Sequence, residues 1–456
     1  FGPSHLKVTQ EFYEKYTAID HILAEAPEIL NAFHGHLSRL LAQGTKGRRR
    51  RAVFTSDQIL RAILVMEIEG LPYRETIIRI DDSLFLRRFV RLQNGTVMDY
   101  SLLCKAYKAV PPEAWKEMNH RLAKHAITQG LITGTHLRTD TTACETNIHF
   151  PTDATLLWDS YRTLSRLITE VRRYAPDLVG AGRLQDRRVK RAMLLISRQG
   201  KQTEANRGRL QRPYRAMLAR VSRIGDWCQT IRERLLERLA TEVYSLEVAS
   251  ILMKLLRRME HYDGLAKKVI DQATRRVVRG EQVPNVEKVF SIFEPHTELI
   301  IRGKAGKPIE FGHMVLLQQV KEKFITDYDT FERKPTDESL VDGILASHRT
   351  LFGALPESFS ADKGFYTSMD KLWELESSIA HVSIAKKGSR TEAAREREHH
   401  PIFRTLQRFR AGIEGTISAL KRSFKMSRCL YRSFRTYCGS IGSHVFAHNL
   451  VVLARL

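Results

Sequence analysis

Three acidic residues, Asp140, Asp362 and Glu414, lie at positions where a carboxylate is not needed to form the predicted strand or helix. Asp140 lies in the middle of residues 135–144, a stretch rich in β-branched residues that predicts a strand. An acid buried in mid-strand is costly unless it has a partner. Asp362 ends a second, short predicted strand, and Glu414 lies on a predicted amphipathic helix. These three side chains are therefore the first candidates for chemistry.

Carboxylate oxygens are the ligands that Mg²⁺ prefers, and Mg²⁺ takes few of them because it keeps water and substrate phosphate oxygens. Two such ions can activate an attacking oxygen and stabilise a leaving one in an in-line displacement at phosphorus. We expect Asp140, Asp362 and Glu414 to be catalytic and to hold two Mg²⁺ ions, with Mn²⁺ able to substitute. Without metal, three clustered acids would repel one another and any nucleic acid.

The predicted helix around Glu414 carries two stripes. The apolar stripe suits packing on a sheet and consists of Ile413, Ile417, Leu420 and Phe424. The second stripe, about 100° away, places Glu414 between two cations, Arg410 and Lys421. An ordinary solvated ion pair would also explain Arg410 and Glu414. Beside a metal site, Arg410 and Lys421 would instead hold phosphates of DNA.

The charge of the chain points to a polyanion. Its 456 residues carry 74 Lys and Arg against 51 Asp and Glu, a formal net charge of +23. Nucleic acid fits such a charge, and an anionic membrane surface would also attract it. We find no apolar run of about 18 residues and no signal peptide, so we expect no membrane partner and no secretion.

Five scattered cysteines argue against a disulfide framework and favour a reducing cytoplasm. Cys429, Cys438, His444 and His448 could in principle form a zinc site. The wide separation of the two cysteines disfavours it, because zinc-binding cysteines usually lie close together. Core cysteines and surface or capping histidines are the simpler interpretation.

The N-terminal part predicts short helices separated by tight breaks such as Gly70-Leu71-Pro72. Basic residues on these helices favour a helix-turn-helix type DNA-binding domain, with Arg74, Arg87 and Arg88 as contacts. The alternative is a helical packing or dimerisation domain with a solvated basic face. The run Lys46–Arg51 fits equally a linker or an arm along a phosphate backbone.

Residues 153–280 predict long helices packed as a hairpin or bundle and hold 28 Lys and Arg against 14 Asp and Glu. A solvated hairpin would normally mix its signs, so we favour DNA-backbone contact over a scaffold role. The expected contacts are Arg187, Arg188, Lys190, Arg191, Arg207 and Arg209. Strand patterns return in residues 289–329, beginning with 289–293, and residues 387–400 read as a charged loop before the Glu414 helix.

Three blocks of the sequence carry a resemblance. Arg138-Thr-Asp140-Thr-Thr-Ala-Cys-Glu-Thr-Asn-Ile-His, Ser360-Ala-Asp362-Lys-Gly-Phe-Tyr366 and Arg410-Ala-Gly-Ile-Glu414 look like the acidic motifs of bacterial insertion-sequence transposases of the DDE class. Arg410, Glu414 and Lys421 match the Tyr-Arg-Glu-Lys signature around the third acid. The position of the signature tyrosine, three residues before Arg410, is occupied by Gln407. This departure concerns which subgroup of these transposases the chain resembles and any contact that the tyrosine would make.

The resemblance implies an RNase H-like catalytic fold in which Asp140 bridges both metals while Asp362 and Glu414 hold one each. The implied reaction is hydrolytic cleavage at transposon ends to free a 3′-hydroxyl, followed by attack of that hydroxyl on target DNA. The implied partners are double-stranded DNA, as transposon ends and target, and further copies of the chain, as a homodimer or higher oligomer. The implied location is the bacterial cytoplasm, on the nucleoid when DNA is bound.

We therefore predict an α/β protein with an RNase H-like mixed sheet, a helical N-terminal DNA-binding domain and a long all-helical insertion. The boundaries are 1–130 for the N-terminal domain, 131–152 and 285–456 for the catalytic domain, and 153–284 for the insertion. Two other functions remain open. One is a related metal-dependent endonuclease without strand transfer, and the other is a catalytically inactive DNA-binding regulator. Glu145 and Asp153 are nearby acids that could compete as ligands, and we interpret Glu145 as structural because strand alternation turns it away from Asp140.

Overall fold

The structure is a computed structural model that describes residues 6–43, 54–92, 95–199, 207–304, 307–389 and 391–456. The predicted arm Lys46–Arg51 lies outside these ranges. The chain forms two compact units, one comprising Phe1–Asn147 with Arg302–Leu456 and the other Ile148–Ile301. No helix in the described ranges combines the length and apolar character needed to cross a lipid bilayer.

The helices described before the first strand are α1 (Lys7–Glu25), α2 (Pro27–Gln43), α3 (Ser56–Glu69), α4 (Tyr73–Asp82), α5 (Leu84–Phe89), α6 (Tyr100–Ala109) and α7 (Pro112–Thr128). The start of α3 is a capping box, in which Thr55 and Gln58 each bind the other's backbone N–H. The helix ends at Gly70, which has a φ of 63°. A Cβ atom at this position would lie only 2.9 Å from the Ser423 carbonyl oxygen, so a larger residue would not fit. The tight break predicted at Gly70 is confirmed.

The first strand, β1 (His136–Thr146), agrees with the strand predicted around Asp140. The second unit then follows with α8 (Asp153–Tyr174), α9 (Pro176–Val179), α10 (Asp186–Arg198), α11 (Arg207–Thr241) and α12 (Leu246–Ala273). These helices bury one apolar core of their own. The bundle of long helices predicted for this part of the chain is confirmed.

The remaining strands are β2 (Glu298–Lys304), β3 (Lys307–Val320), β4 (Ile325–Thr330), β5 (Ser358–Ser360), β6 (His381–Ser383) and β7 (Arg428–Cys429). These strands and β1 form one mixed sheet in the order β2-β3-β1-β5-β6, with β4 also pairing β3 and β7 also pairing β1. β1 and β4 run antiparallel to β3, whereas β5 and β7 run parallel to β1, and β6 runs parallel to β5. The chain is therefore a mixed α/β protein, as predicted.

The helices of the C-terminal part are α13 (Val341–Phe352), α14 (Met369–Ser378), α15 (Glu392–His399), α16 (Pro401–Arg422) and α17 (Phe434–Leu453). α13, α14 and the apolar residues of β5 and β6 form one core. A larger core joins α16 and α17 to β3, β4 and the N-terminal helices. Ile413 and Leu420 of α16 are fully buried there, which confirms the apolar stripe of this helix.

Two local predictions are wrong. Residues 289–293 do not form a strand, because Val289 and Ile292 fill the core of the helical unit from an irregular segment. Residues 387–400 are not all loop, since they contain α15, whose N-cap Thr391 accepts a hydrogen bond from the Ala394 N–H. Only Ala394 of this helix is buried, so its sequence carries almost no apolar periodicity.

Candidate active site

Asp140 lies midway along β1, directly opposite Leu317 of β3. Its side chain is only 13% exposed. Oδ1 accepts a 2.8 Å hydrogen bond from the Thr141 N–H, and Oδ2 accepts one of 2.9 Å from Arg410 Nη2. Burying a carboxylate is unfavourable unless a charged or hydrogen-bonding group compensates it, and Arg410 provides that compensation for Asp140.

Asp362 stands two residues beyond the end of β5 and caps a short turn, Lys363–Phe365. Its Oδ1 accepts a 2.8 Å hydrogen bond from the Gly364 N–H, which fixes the carboxylate at the carboxyl end of the strand. Because β5 runs parallel to β1 and pairs with His136–Arg138, this end of β5 lies beside Asp140.

The three predicted acids meet at one guanidinium. Arg410 on α16 places Nη2 2.9 Å from Asp140 Oδ2 and 3.7 Å from Asp362 Oδ2. Its Nη1 lies 3.2 Å from Glu414 Oε1, one helical turn away. Residues distant along the chain are thus brought into one cluster, and Arg410 is its centre. Glu414 is the most exposed of the three, at 67% of its side chain.

A buried arginine holds α16 on the sheet. Arg138, two residues before Asp140, donates from Nε to Gln319 Oε1 at 2.8 Å and from Nη1 to the Phe409 carbonyl at 2.6 Å. Its guanidinium also lies 4.6 Å from the centre of the Phe409 ring. Gly412 is required beside it, because a Cβ there would collide with Arg138 Nη1. Burial lowers the pKa of Arg138 to about 10.

Gln407 fastens the same helix to the strands that end near Asp362. Its Nε2 donates to Ser383 O and Ser383 Oγ, both at 2.9 Å, and approaches Ala361 O at 3.4 Å. Ala361 immediately precedes Asp362. The residue that departs from the transposase signature therefore positions the second acid through the backbone next to it.

Asp337 is a fourth carboxylate at this site that sequence reasoning did not select. A Cβ placed on Gly364 would lie 2.9 Å from Asp362 Oδ1 and 3.0 Å from Asp337 Oδ2, so both acids crowd one glycine. Asp337 also accepts a hydrogen bond from Thr141 Oγ1 at 3.3 Å. Burial raises the pKa of Asp337, the nearby Lys334 opposes this, and the Asp362 charge adds to it. In the sequence Asp337 looks like an ordinary acid at the start of a helix.

The middle of β1, where Asp140 lies, has a strand partner on one side only. The parallel pairing of β1 with β5 ends at Arg138, and its parallel pairing with β7 begins at Glu145. Within the described ranges, residues 139–144 of β1 pair only with β3. Near Asp140, α16 contributes contacts from Phe409 and Arg410 instead of a second strand.

The charges of the cluster suit divalent cations. Asp140, Asp362 and Glu414 share the guanidinium of Arg410, and Asp337 lies 3.8 Å from Lys334 Nζ, so these four carboxylates outnumber the two cations. As the side chains stand, no group of three or more His, Cys, Asp or Glu in the described ranges encloses a cation site. Arg410 lies among the three predicted acids. Its Nε is buried with no hydrogen-bond partner in the described part of the chain, so this side chain is held only by its outer nitrogens. Carboxylate oxygens are the type of ligand that Mg²⁺ prefers.

Burial raises the pKa of Cys144 to about 11, and the charge of Lys421 on α16 is among the influences that oppose this shift. The two acids considered as competing ligands each have a partner outside the cluster. Glu145 is ion-paired with Arg428 at 2.9 Å, and Asp153 pairs with Arg276 at 2.9 Å within the helical unit.

The predicted DNA contacts of the N-terminal helices are partly engaged. Arg74 is exposed, and its guanidinium stacks 4.6 Å from the centre of the Tyr100 ring. Arg87 pairs with Asp81 at 2.5 Å and donates to Gly95 O at 2.6 Å. Arg88 is exposed on α5. Arg74 and Arg87 line one open cleft of about 750 Å³.

The helical unit carries cations on all of its long helices, and the helices differ in how many of them are ion-paired. Several acids of α11 and α12 pair with cations, for example Asp263 with Lys267 at 2.9 Å. By contrast, α10 exposes five cations that make no ion pair with any described residue: the predicted contacts Arg187, Arg188, Lys190 and Arg191, and also Arg198. Arg209 is exposed on α11, while the side chain of Arg207 lies outside the described part of the structure. α10 therefore presents a concentrated positive surface.

Comparison of the chain with protein-family models, curated proteins and solved structures found no match.

Proposed function

We propose that the protein is a metal-dependent DNA transposase of the DDE class. The observation that carries the proposal is the meeting of Asp140, Asp362 and Glu414, from β1, the end of β5 and α16, on the single guanidinium of Arg410. These are the same three acids, in the same order, that the sequence motifs pick out. Structural ion pairs rarely need three carboxylates around one cation, because the surplus charge is destabilising.

The order of elements supports an RNase H-like catalytic domain. From β1 to α16, and leaving out the helices of the helical unit, the strands and α-helices follow the chain as β1, β2, β3, β4, α13, β5, α14, β6, α15 and α16. β1 and β4 run antiparallel to β3, and β5 and β6 run parallel to β1. Apart from α15, this is the arrangement expected from the sequence. The helical unit would then be an insertion between the first strand and the rest of the domain.

In this proposal Asp140, Asp362 and Glu414 would hold the two metal ions. Asp337 adds a carboxylate on the Asp362 side. The ions, Mg²⁺ or Mn²⁺, would supply Lewis acidity at the scissile phosphate and lower the pKa of an attacking water or hydroxyl. Arg410 exchanges its carboxylate partners for a phosphate of the transposon end, and Lys421 holds a phosphate farther along α16. The products are a free 3′-hydroxyl and then a joined target strand.

DNA binding draws on charge elsewhere in the molecule. The net charge of +23 and the five exposed cations of α10 provide sequence-independent attraction to phosphates. Arg74 and Arg88 add exposed cations on the N-terminal helices. Because two transposon ends must be joined to one target, we expect a homodimer or higher oligomer on DNA.

The test uses Asp140→Ala, Asp362→Ala and Glu414→Ala in a cleavage assay on end DNA with Mg²⁺ and in a joining assay with pre-cleaved ends. Each variant is expected to lose both activities and to keep DNA binding. Asp370→Ala, an exposed acid on α14, is the matched control and is expected to act like the wild type. Near-normal joining by any of the three variants would remove that residue from the site. Cleavage without joining by the wild type would instead identify an endonuclease.

One observation favours a catalytically inactive DNA-binding regulator, namely that Arg410 already neutralises part of the acidic cluster. The two functions differ in how the cluster treats cations. For a transposase, Arg410→Gln should raise the affinity for Mn²⁺ in the DNA-free protein, because the competing guanidinium is gone. Mn²⁺ binding can be followed by electron paramagnetic resonance. No binding by either protein, together with metal-independent DNA binding and no nicking, would favour the regulator.

A further inference from the structure

A second cavity of about 820 Å³ lies in the same unit as the acidic cluster but is lined by other residues. Its walls come from the α3–α4 junction, α6, the segment that follows α16, and α17. This volume is within the range of small-ligand sites. We propose that the cavity binds one unstacked nucleotide of the DNA. This inference rests on the proposed function for the source of the nucleotide, although not for the binding itself.

The floor of the cavity is polar and buried. Glu67 and His444 are 5% and 7% exposed, and His444 Nε2 lies 3.1 Å from Glu67 Oε2. Ser443 donates to Glu67 Oε1 at 2.8 Å. A carboxylate oxygen can accept more than one hydrogen bond, so Glu67 keeps acceptor capacity toward the cavity. Amino and imino groups on the edge of a nucleobase are donors of the kind it would take.

The walls are aromatic. Tyr73 and Tyr431 both line the cavity with ring centres 6.1 Å apart. Tyr107 supports Tyr431 from behind at 4.8 Å and is itself buried. Burial raises the pKa of Tyr73 and of Tyr431, so both phenols stay neutral. Supported aromatic rings of this kind are platforms on which bases stack, whatever the sequence.

The rim is cationic. Four exposed basic side chains line the cavity: Lys108, Lys425, Arg428 and Arg432, of which Arg428 also pairs with Glu145 at 2.9 Å. Among the described residues that line the cavity, Glu67 is the only acid, and His444 already accompanies it. A base in the cavity would carry its phosphate to this rim. An apolar or basic peptide would lack that complementarity, so a nucleotide is the occupant that fits.

The wall between α16 and α17 is held in an unfavourable backbone conformation. Lys425 and Ser433, which bracket this segment, have positive φ angles of 60° and 74° although neither is glycine. Lys425 also packs against Gly70, where a Cβ would lie 2.9 Å from Lys425 Cε. Non-glycine residues with positive φ persist only where the surroundings enforce them, and they cluster at ligand sites.

The cavity lies within reach of DNA held at the acidic cluster. Its Arg428 belongs to β7, which pairs with Glu145 and Thr146 at the far end of β1. Glu145 is five residues from Asp140, so the two places are roughly 17 Å apart along the strand at about 3.3 Å per residue. That distance corresponds to roughly five base-pair steps of about 3.4 Å along duplex DNA. A strand whose phosphate lies at Asp140 can thus place a nucleotide in the cavity.

The experiment titrates the full chain, carrying Asp140→Ala and without metal, with 2-aminopurine deoxyriboside 5′-monophosphate and follows quenching of the probe as it stacks. Tyr431→Leu should weaken binding about tenfold, as loss of one base–aromatic stack does. Tyr431→Phe should bind like its parent, and Lys425→Gln should weaken the nucleotide more than the corresponding nucleoside. Arg349→Gln, an exposed cation on α13, is the matched control.

The proposal would be overturned if the probe were not quenched at millimolar concentration. It would also be overturned if the Tyr431→Leu and Lys425→Gln variants both bound the probe as tightly as the parent protein. The surface variant Lys425→Gln keeps the test valid if Tyr431→Leu fails to fold. Because the background variant cannot cleave by the proposed mechanism, the result does not depend on whether the protein is a transposase. Binding of the probe without any cleavage by the wild type would leave the cavity assigned and the proposed function refuted.

Discussion

Replacing Arg138 by Met tests whether the buried arginine, and not apolar packing alone, keeps α16 in place beside the acids. The guanidinium joins β1 to the Phe409 carbonyl of α16 at 2.6 Å and to Gln319 Oε1 at 2.8 Å. Gln319 in turn donates to Thr416 Oγ1 of α16 at 2.8 Å. Met keeps much of the side-chain volume but donates no hydrogen bond, so both links from Arg138 disappear.

The magnitude follows from these hydrogen bonds. Hydrogen bonds to a charged group contribute about 1.5–3 kcal/mol each, and a buried acceptor left unpaired costs about 1–3 kcal/mol. Burial lowers the pKa of Arg138 to about 10, so removing the buried charge recovers part of that loss. We expect the free energy that opposes opening of α16 to fall by about 3 kcal/mol, which is roughly a hundredfold faster amide exchange.

The assay is hydrogen–deuterium exchange read by mass spectrometry on peptides from residues 401–422. Arg349→Met, at an exposed position of α13, is the matched control and should leave exchange in α16 unchanged. Arg138→Lys should lie between the two, because an ammonium keeps the charge but cannot span both acceptors. Exchange in α16 at the wild-type rate in Arg138→Met would show that apolar packing alone fixes the helix.

Gln407→Leu should lower the cleavage rate, by up to about a hundredfold if Asp362 shifts by 1 Å, with little change in melting temperature; equal turnover would remove its positioning role. Burial lowers the pKa of His448 to about 4, below the unfolded value of 6.5. The unfolded chain therefore binds more protons between these values, and stability should fall as pH drops from 6.5 to 4; His448→Gln should flatten this dependence in urea titrations at several pH values. Replacing the five exposed α10 cations by Gln should reduce the slope of log affinity against log salt by roughly 0.9 for each phosphate that is no longer neutralised; an unchanged slope would make α10 a scaffold.

Local signals predicted the elements that hold the site. The Gly70 break, the strand around Asp140 and the helix around Glu414 could be predicted, because each depends on residues only a few positions apart. The prediction for residues 289–293 failed because alternating apolar residues can fill a core without pairing as a strand. α15 was missed because its charged residues give no apolar face.

The details of the site depend on residues far apart along the chain, and no local pattern contains them. Arg410 looks like the partner of Glu414 at i,i+4, yet it also contacts Asp140, 270 positions away. Asp337 looks like a helix-start acid, and only the turn at Gly364 shows it beside Asp362. In the sequence, Gln407 is only a departure from the Tyr-Arg-Glu-Lys signature. The structure shows that its side chain donates a hydrogen bond to the Ser383 carbonyl at the end of β6.

Charge balance connects the two parts of the proposed function. In the DNA-free protein Arg410 offsets the acids, so a divalent cation must compete with a guanidinium that is already in place. A DNA phosphate beside α16 would attract the same guanidinium and leave the carboxylates uncompensated, which favours cation binding. Cation binding would in turn release Arg410 toward phosphate. On this proposal DNA and metal therefore bind cooperatively, and by reciprocity each must raise the affinity for the other by the same factor.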